Sequence, residues 1–396
     1  VPLPVLFFVL LSASRTQAPH YPLPVVPSLA LAASLLLSRA LPSGSPRARL
    51  LHPLLVILLL VFPAYSTAKE TARLARKDTR TEAREWIEKH VPAGALVLVE
   101  PHGPNLLSSA DLGRFARSDE FETVRDRLIA GTSASPWFHA AVIPSFSIDV
   151  DRAARFYRFE PYQWFEYVVL TGEIRGRYLA DPVGFPVQGA FYREVERRLR
   201  PAARVPSDPS RNGPEILIFR RDPSAPAAGA VRLDPDGARD AEYLDYFRAV
   251  AGLYRDRGRP DGAAAIYRAL LELNPNDAET LRHLGVLTAA LGDAEGGARL
   301  LDRAVRIDGA DRTARMTLGV LLCQAGRLDE GTSLLRALLD EREEDAEVHG
   351  NLAAALVQAG RVPEAVLHLK RFLELEPRHP RAGEVRALLE SLDGSP

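Results

Sequence analysis

Residues 278–311 read AETLRHLGVLTAALGDAEGGARLLDRAVRIDGAD, and this stretch decides the fold of the carboxyl-terminal third of the chain. Two apolar segments with helical spacing flank the break at Gly292. Leu281 fills a large fourth position, Leu284 the seventh and Gly285 a small eighth, while Gly297 is small again at the twentieth. The layout recurs outward in both directions. Gly258, Gly292, Gly326 and Gly360 stand 34 residues apart; Val250, Leu284, Leu318 and Leu352 share one position; Ala251, Gly285, Gly319 and Ala353 share the next. Ala263, Gly297, Gly331 and Ala365 repeat the small residue in each second segment, as two closely approaching helices require. Pro275 and Pro377 close two units, where proline is at home just past a helix end.

A 34-residue period with this filling resembles a tetratricopeptide array, which implies helix-turn-helix units that bury their apolar faces only by stacking. The register gives four repeats, 244–277, 278–311, 312–345 and 346–379, a capping helix over 380–392 and, at 223–238, a Pro-, Ala- and Gly-rich linker. Such a stack is a docking surface. Arg248, Arg255, Arg282, Gln324, Asn351 and Gln358 are the positions expected to face the groove; clustered arginine suits an acidic or carboxylate-bearing peptide, against ordinary solvated surface for any single residue. The two-carboxylate clamp of chaperone-binding arrays is not reproduced, because Gly252, His283, Thr313 and Thr317 stand where Asn and basic residues belong.

The chain has 396 residues, enough for about two or three domains. Its formal net charge of -1 conceals two different ends: residues 1–66 hold no acid and only Arg15, Arg39, Arg47 and Arg49 as strong bases, and the remainder is charge-rich. No basic stripe interleaved with aromatics is present, so nucleic acid is not an expected partner. The single cysteine, Cys323, excludes an internal disulfide and a cysteine metal cluster, and its place in a repeat helix reads as packed core. Apolar runs at 21–41 and 50–66 approach the length of a membrane span; the run at 1–12 is shorter and reads as the end of a span begun upstream, with Ser12-Ala13-Ser14 as a competing signal-peptide cleavage site. The acid-free loop Pro42–Arg49 reads as cytoplasmic and sends the chain outward after residue 66, but the flank from Lys69 to Arg84 is itself basic, so charge alone leaves the sidedness open.

Between 67 and 222 the pattern alternates: a helix ending near His90, strands at Ala95–Glu100, Trp164–Leu170 and Glu215–Arg221, and helices at Asp111–Ala130 and Gln188–Leu199. Alternation of this kind indicates a small α/β domain. Asp149-Val150-Asp151 has the spacing of a metal-holding carboxylate pair, though without a nucleotide-binding unit around it a solvated turn is the simpler reading. Glu100-Pro101-His102 lies at the carboxyl end of a strand, where open α/β sheets bind ligands, with a capped turn as the plainer alternative. His102 and His139 lack partners at metal-ligand spacing, so no metal site and no catalytic residue is assigned.

The order of Tyr21-Pro22-Leu23-Pro24, a second apolar run, Ala83-Arg84-Glu85-Trp86-Ile87, Pro92-Ala93-Gly94, Phe191-Tyr192-Arg193-Glu194 and Gly213-Pro214-Glu215 resembles the carboxyl-terminal end of bacterial GT-C membrane glycosyltransferases of the protein-mannosyltransferase type, over residues 1–222. The resemblance implies a polyprenyl-phosphate-linked sugar donor, a membrane-lipid partner and a lipid-phosphate side at His20 and Tyr21, where the family usually has Arg before the Tyr. It also implies a catalytic acidic loop that these residues do not contain, so the chain is expected to be catalytically incomplete. The expectation is therefore membrane α-helical segments, then a small α/β domain, then an all-α solenoid: a multi-pass membrane protein with extracytoplasmic carboxyl-terminal domains. As a transferase fragment it carries a docking module; as a non-enzymatic membrane-anchored scaffold, its alternative, the repeats do all the work.

Overall fold

The computed structural model describes residues 75–106, 137–144, 150–208, 211–226 and 229–393, with isolated residues at 65, 68, 69 and 72. The chain divides into two compact units, Val1–Glu82 with Ser207–Gly213, and Ala83–Pro206 with Pro214–Pro396. In the first, Asp78 and Asn212 form a parallel bridge, the Thr79 N–H donates to Asn212 O at 2.7 Å, and Arg211 pairs with Glu82 at 3.0 Å.

The second unit takes in helix α1 (Thr79–His90) from Ala83 onward, with Ala83 and Ile87 buried, and a five-stranded sheet. Strands β1 (Leu96–Val99), β2 (His139–Val142), β3 (Tyr167–Thr171), β4 (Leu199–Val205) and β5 (Ile216–Arg221) lie in the order β2-β1-β3-β5-β4. The first three are parallel, and β5 runs antiparallel to both β3 and β4. Every residue of β1 and β3 is buried, as in a sheet covered on both faces. Alternation sorts them: Val97, Val99, Tyr167, Val169, Ile216 and Ile218 pack with Ala83 and Ile87 of α1, whereas Leu96, Leu98, Val168, Leu170 and Phe219 face the opposite layer. That layer contains α2 (Val150–Ala154), α3 (Gly172–Ala180) and α4 (Pro186–Arg198).

Among the described residues nine further helices follow, in antiparallel pairs and one closing element: α5 (Ala241–Asp256) with α6 (Pro260–Leu273), α7 (Ala278–Ala290) with α8 (Ala294–Ile307), α9 (Arg312–Gln324) with α10 (Leu328–Glu341), α11 (Ala346–Gln358) with α12 (Val362–Leu375), then α13 (Ala382–Asp393). The glycines at 34-residue spacing end each first helix. Gly258, Gly292, Gly326 and Gly360 have φ of 73°, 99°, 84° and 72°, the left-handed conformation that only glycine adopts without a Cβ penalty. The next N–H then reaches back five residues, Arg259 to Tyr254 O at 2.7 Å and Arg327 to Leu322 O at 2.8 Å, closing the orphan carbonyls of the helix end. The other recurring small residues set helix separation. A Cβ on Gly331 would stand 2.6 Å from Gly319 O and collide with Cys323 Sγ. Gly331→Ala is accordingly expected to destabilise the chain by about 1–3 kcal/mol in urea unfolding, because backbone of the partner helix has nowhere to move.

One apolar cluster runs from the sheet into the first helix pair. Phe156, Tyr162, Trp164 and Phe165 of the α/β layer share it with Tyr243, Phe247, Val250 and Tyr254 of α5 and Ala263, Ile266 and Tyr267 of α6. Phe247 stacks 6.1 Å from Phe156 and lies 6.0 Å from Tyr162, and the Tyr254 hydroxyl donates to Pro161 O at 2.7 Å. Val231 and Leu233, in the stretch read as a linker, are buried in the same cluster. The α/β layer thus covers the outward apolar face of the first pair, as a capping unit must. At the other end Val385 of α13 packs with Leu369 and Phe372 of α12.

Two expectations are corrected. Among the described residues no helix is long and apolar enough to cross a membrane, and the runs at 1–12, 21–41 and 50–66 lie outside them. In place of membrane α-helical segments, the architecture is a mostly helical repeat stack joined to a small sheet, and the multi-pass membrane localisation, with its extracytoplasmic placement, is withdrawn with them. The helix expected at Asp111–Ala130 also lies outside the described residues. Strands β2 and β4 are additions to the sequence reading: β2 is four residues long, and Leu199–Val205 carries Pro201 beside an irregular register on the sheet edge, which hides its periodicity.

Candidate functional site

The first helix of each pair turns its eighth residue toward its partner: a Cβ on Gly285 would meet Gly297 O at 3.0 Å, and one on Gly319 would meet Leu335 Cγ at 2.9 Å. The ninth residue lies about 100° further round, away from the partner helix. Gly252, Val286, Val320 and Ala354 hold that position, and all four keep solvent exposure, Val286 at 41%. Beside them, at the thirteenth position, Asp256, Ala290, Gln324 and Gln358 are exposed. On the other flank Asp245, Glu279, Thr313 and Glu347 are exposed at the second position. The open face is therefore an apolar line whose border of eight residues holds four acids, Asp245, Asp256, Glu279 and Glu347.

The arginines expected to charge this face are largely engaged within the stack. Each first helix begins at an aspartate whose side chain accepts an N–H of the opening turn: Asp240, Asp277, Asp311 and Asp345. Each of these is also gripped by an arginine, from α2 for Asp240 and from the first helix of the preceding pair for the others. Arg152 of α2 forks onto Asp240 at 2.7 and 2.8 Å, Arg248 reaches Asp277 at 2.6 Å, Arg282 approaches Asp311 at 3.4 Å, and Arg312 meets Asp345 at 2.9 Å. The Arg152 guanidinium holds the Asp240 carboxyl below its ordinary range. Arg248 also contacts Asp245 and lies 3.3 Å from Glu279. These pairs weld unit to unit, and the α/β layer supplies the first of them. Arg255 is half-exposed and pairs with its neighbour Asp256 at 2.9 Å.

Of the remaining expected groove residues, Gln324 and Gln358 are exposed and Asn351 is half-buried. The Gln358 amide donates to Cys323 O of the preceding pair at 3.3 Å. His283 stacks on Tyr267 with ring centroids 5.6 Å apart. His20 and Tyr21 lie outside the described residues, as does Asp149; Asp151 is exposed in α2. The ladder of helix-opening aspartates is absent from the sequence reading, although Asp277, Asp311 and Asp345 stand 34 residues apart in plain sight.

Glu100 is a different kind of residue. It is 1% exposed at the end of β1, and its oxygens accept from the Thr171 N–H at 2.7 Å, the Thr171 hydroxyl at 2.8 Å and the Tyr157 hydroxyl at 3.4 Å, with the Tyr192 hydroxyl in closer contact. Burial pushes its carboxyl up to about 7, against the opposing pull of these donors. It ties β1 to β3 and α4. The turn after it is tight, with the Gly103 N–H donating to Glu100 O at 3.0 Å and His102 exposed at φ 64°. Burial lowers the His139 imidazole. Among the described residues no group of three His, Cys, Asp or Glu is placed to hold a metal ion.

Two family models, each described as tetratricopeptide repeat, match residues 244–287 and 322–389. These are tetratricopeptide repeats. Solved structures similar to the repeat-bearing chain include residues 41-end of MamA from Desulfovibrio magneticus RS-1, at 18% identity over 38% of this chain and 94% of that one, with a TM-score of 0.32. YrrB, described as a TPR protein with an unusual peptide-binding site, is 20% identical over 37% of this chain and 76% of its own, with a TM-score of 0.34. MamA of MSR-1 is 24% identical over 38% and 87%, with a TM-score of 0.32. No curated protein matches the chain. The transferase resemblance of residues 1–222 gains nothing from these matches.

Proposed function

We propose that this chain is a protein-docking scaffold whose tetratricopeptide stack holds a partner segment along the line Gly252, Val286, Val320 and Ala354. The observation that carries the reading is that line itself: apolar residues left open at the same position of four successive repeats, while the apolar residues between the helices are packed in clusters. A helix laid in an apolar groove or an extended segment of alternating side chains makes this kind of contact. With Arg248 and Arg282 held by Asp277 and Asp311, the border favours a partner with apolar side chains and basic flanks over an acidic one. Arg255, Gln324 and Gln358 then contribute polar contacts at the edge. The transferase reading, with its polyprenyl-phosphate-linked sugar donor, stands behind this one because sequence motifs alone support it.

The test uses the full chain as bait, compared with Val286→Glu and Ala354→Glu, and measures the affinity of any recovered partner directly. A buried carboxylate without a mate opposes binding, so each substitution is expected to weaken it by about tenfold or more. Arg255→Glu probes ligand charge without breaking the latch between repeats, and is expected to leave or improve binding of a basic-flanked partner. Affinity unchanged by both Val286→Glu and Ala354→Glu rejects the site; sugar transfer by the chain from a polyprenyl-phosphate donor rejects the scaffold reading in favour of the enzyme.

A further inference from the structure

A second site lies on the α/β layer, where the end of α4, the start of β4 and the end of β5 meet. A cavity of about 160 Å³ opens there, lined by Phe159, Gln163, Arg198, Leu199, Arg221 and Pro226, none of which belongs to the repeat helices. Its volume is near that of a cavity known to take a benzene-sized guest. Phe159, Leu199 and Pro226 give it apolar walls, and two guanidinium groups give it charge.

The two arginines differ. Arg198 is committed: its Nε lies 2.6 Å from Glu194 Oε2 and its guanidinium sits 5.8 Å from the Phe159 ring centroid. Arg221 spends one N–H on Ala225 O at 2.7 Å, and among the described residues no carboxylate lies within ion-pair distance of it. The charges of Asp222 and Asp261 reach it without forming an ion pair, and Asp222 is turned to Arg200 at 3.1 Å. Burial, reinforced by the nearby Arg259 cation, pushes the Arg221 guanidinium down from its ordinary value. A half-buried cation facing a cavity beside a second cation is an arrangement that an anion relieves, since guanidinium offers five donors in a planar fork matched to a carboxylate.

We propose that this cavity binds a carboxylate borne on a small apolar body, the carboxylate on Arg221 and the body against Phe159 and Leu199. A fully hydrated anion such as phosphate would leave the apolar walls unused and find one free fork. Two sources present this chemistry, a free small acid and the carboxyl terminus of a peptide. The site is independent of the docking line on the repeats, so either can fail alone.

Titration calorimetry on the full chain tests it with benzoate, the tripeptide Gly-Gly-Phe, the same tripeptide as its carboxyl-terminal amide, and inorganic phosphate. Benzoate or the free tripeptide is expected to bind about tenfold or more tightly than the amide and phosphate. Tighter benzoate binding assigns the site to free acids, and tighter tripeptide binding to peptide termini. Arg221→Met is expected to remove the preference for the free acid; should that variant fail to fold by circular dichroism, Arg259→Gln is expected to weaken the carboxylate by about threefold through loss of a nearby cation. No binding of either carboxylate at millimolar concentration, an amide that binds as well as the acid, or phosphate that binds as tightly as benzoate each overturns the proposal.

Discussion

Phe247→Ala is expected to destabilise the sheet and the repeats together, by about 3–5 kcal/mol, the range for emptying a buried aromatic position. Phe247 is fully buried, and its ring meets Phe156, Tyr162, Tyr243 and Tyr246 within 6.1 Å between centroids, so its removal opens a cavity at the junction and forfeits paired ring contacts. The readout distinguishes coupling from mere damage. Trp86, Trp137 and Trp164 all lie before residue 165, so tryptophan fluorescence follows the α/β layer, whereas far-ultraviolet circular dichroism is dominated by the repeat helices. Urea transitions seen by the two probes are expected to coincide in the wild type and to shift together in the variant. A shift in circular dichroism with fluorescence unmoved means that the repeats unfold by themselves.

Glu100→Gln is expected to stabilise the protein in alkaline solution and to leave it little changed in acid. The folded-state carboxyl is raised from 4.5 to about 7, chiefly by burial, so the native state binds more protons than the unfolded state between those values. Stability contributed by Glu100 is therefore full below about 4.5, falls as pH rises, and is lost once pH passes about 7. The loss amounts to about 3 kcal/mol on the scale of 1.36 kcal/mol per unit. Glutamine has the shape of the protonated acid: its oxygen accepts from Thr171 and its amide donates to the Tyr157 and Tyr192 hydroxyls. The difference between variant and wild type, measured by urea unfolding at pH 5 and pH 8, isolates this group from the other carboxylates. Equal differences at the two pH values contradict a raised Glu100.

Much of the repeat stack is legible in the sequence because its constraints are local and periodic. A glycine at φ of 72–99° and a small residue against a partner backbone each leave a mark at one position, and the mark recurs every 34 residues. The sheet is half legible: β1, β3 and β5 are short apolar runs between breaks, whereas β2 and β4 sit on the sheet edges, where half-exposed residues and Pro201 erase the pattern. Partnership across distance leaves no such mark. Arg248 and Arg282 read as ligands for a peptide because their acids, Asp277 and Asp311, lie a full helix pair away in the chain and meet them only when the repeats stack. Likewise the stretch around Val231 and Leu233 has a linker's composition, and its burial is decided by aromatic residues of the layer beneath. Glu100 stands out in the sequence for its place at a strand end, yet burial by Tyr157, Tyr192 and Thr171 makes it a tie between elements.

The docking claim is tested most directly by placing a photo-crosslinking residue at Val286, on the open face, and in a separate variant at Leu367, which is 67% exposed on the second helix of its pair. After irradiation of the full chain in extract from its source, the account predicts discrete protein adducts at position 286 that are suppressed by Ala354→Glu, with none of the same adducts at 367. Adducts of equal pattern and yield at both positions, or none at 286, would contradict it.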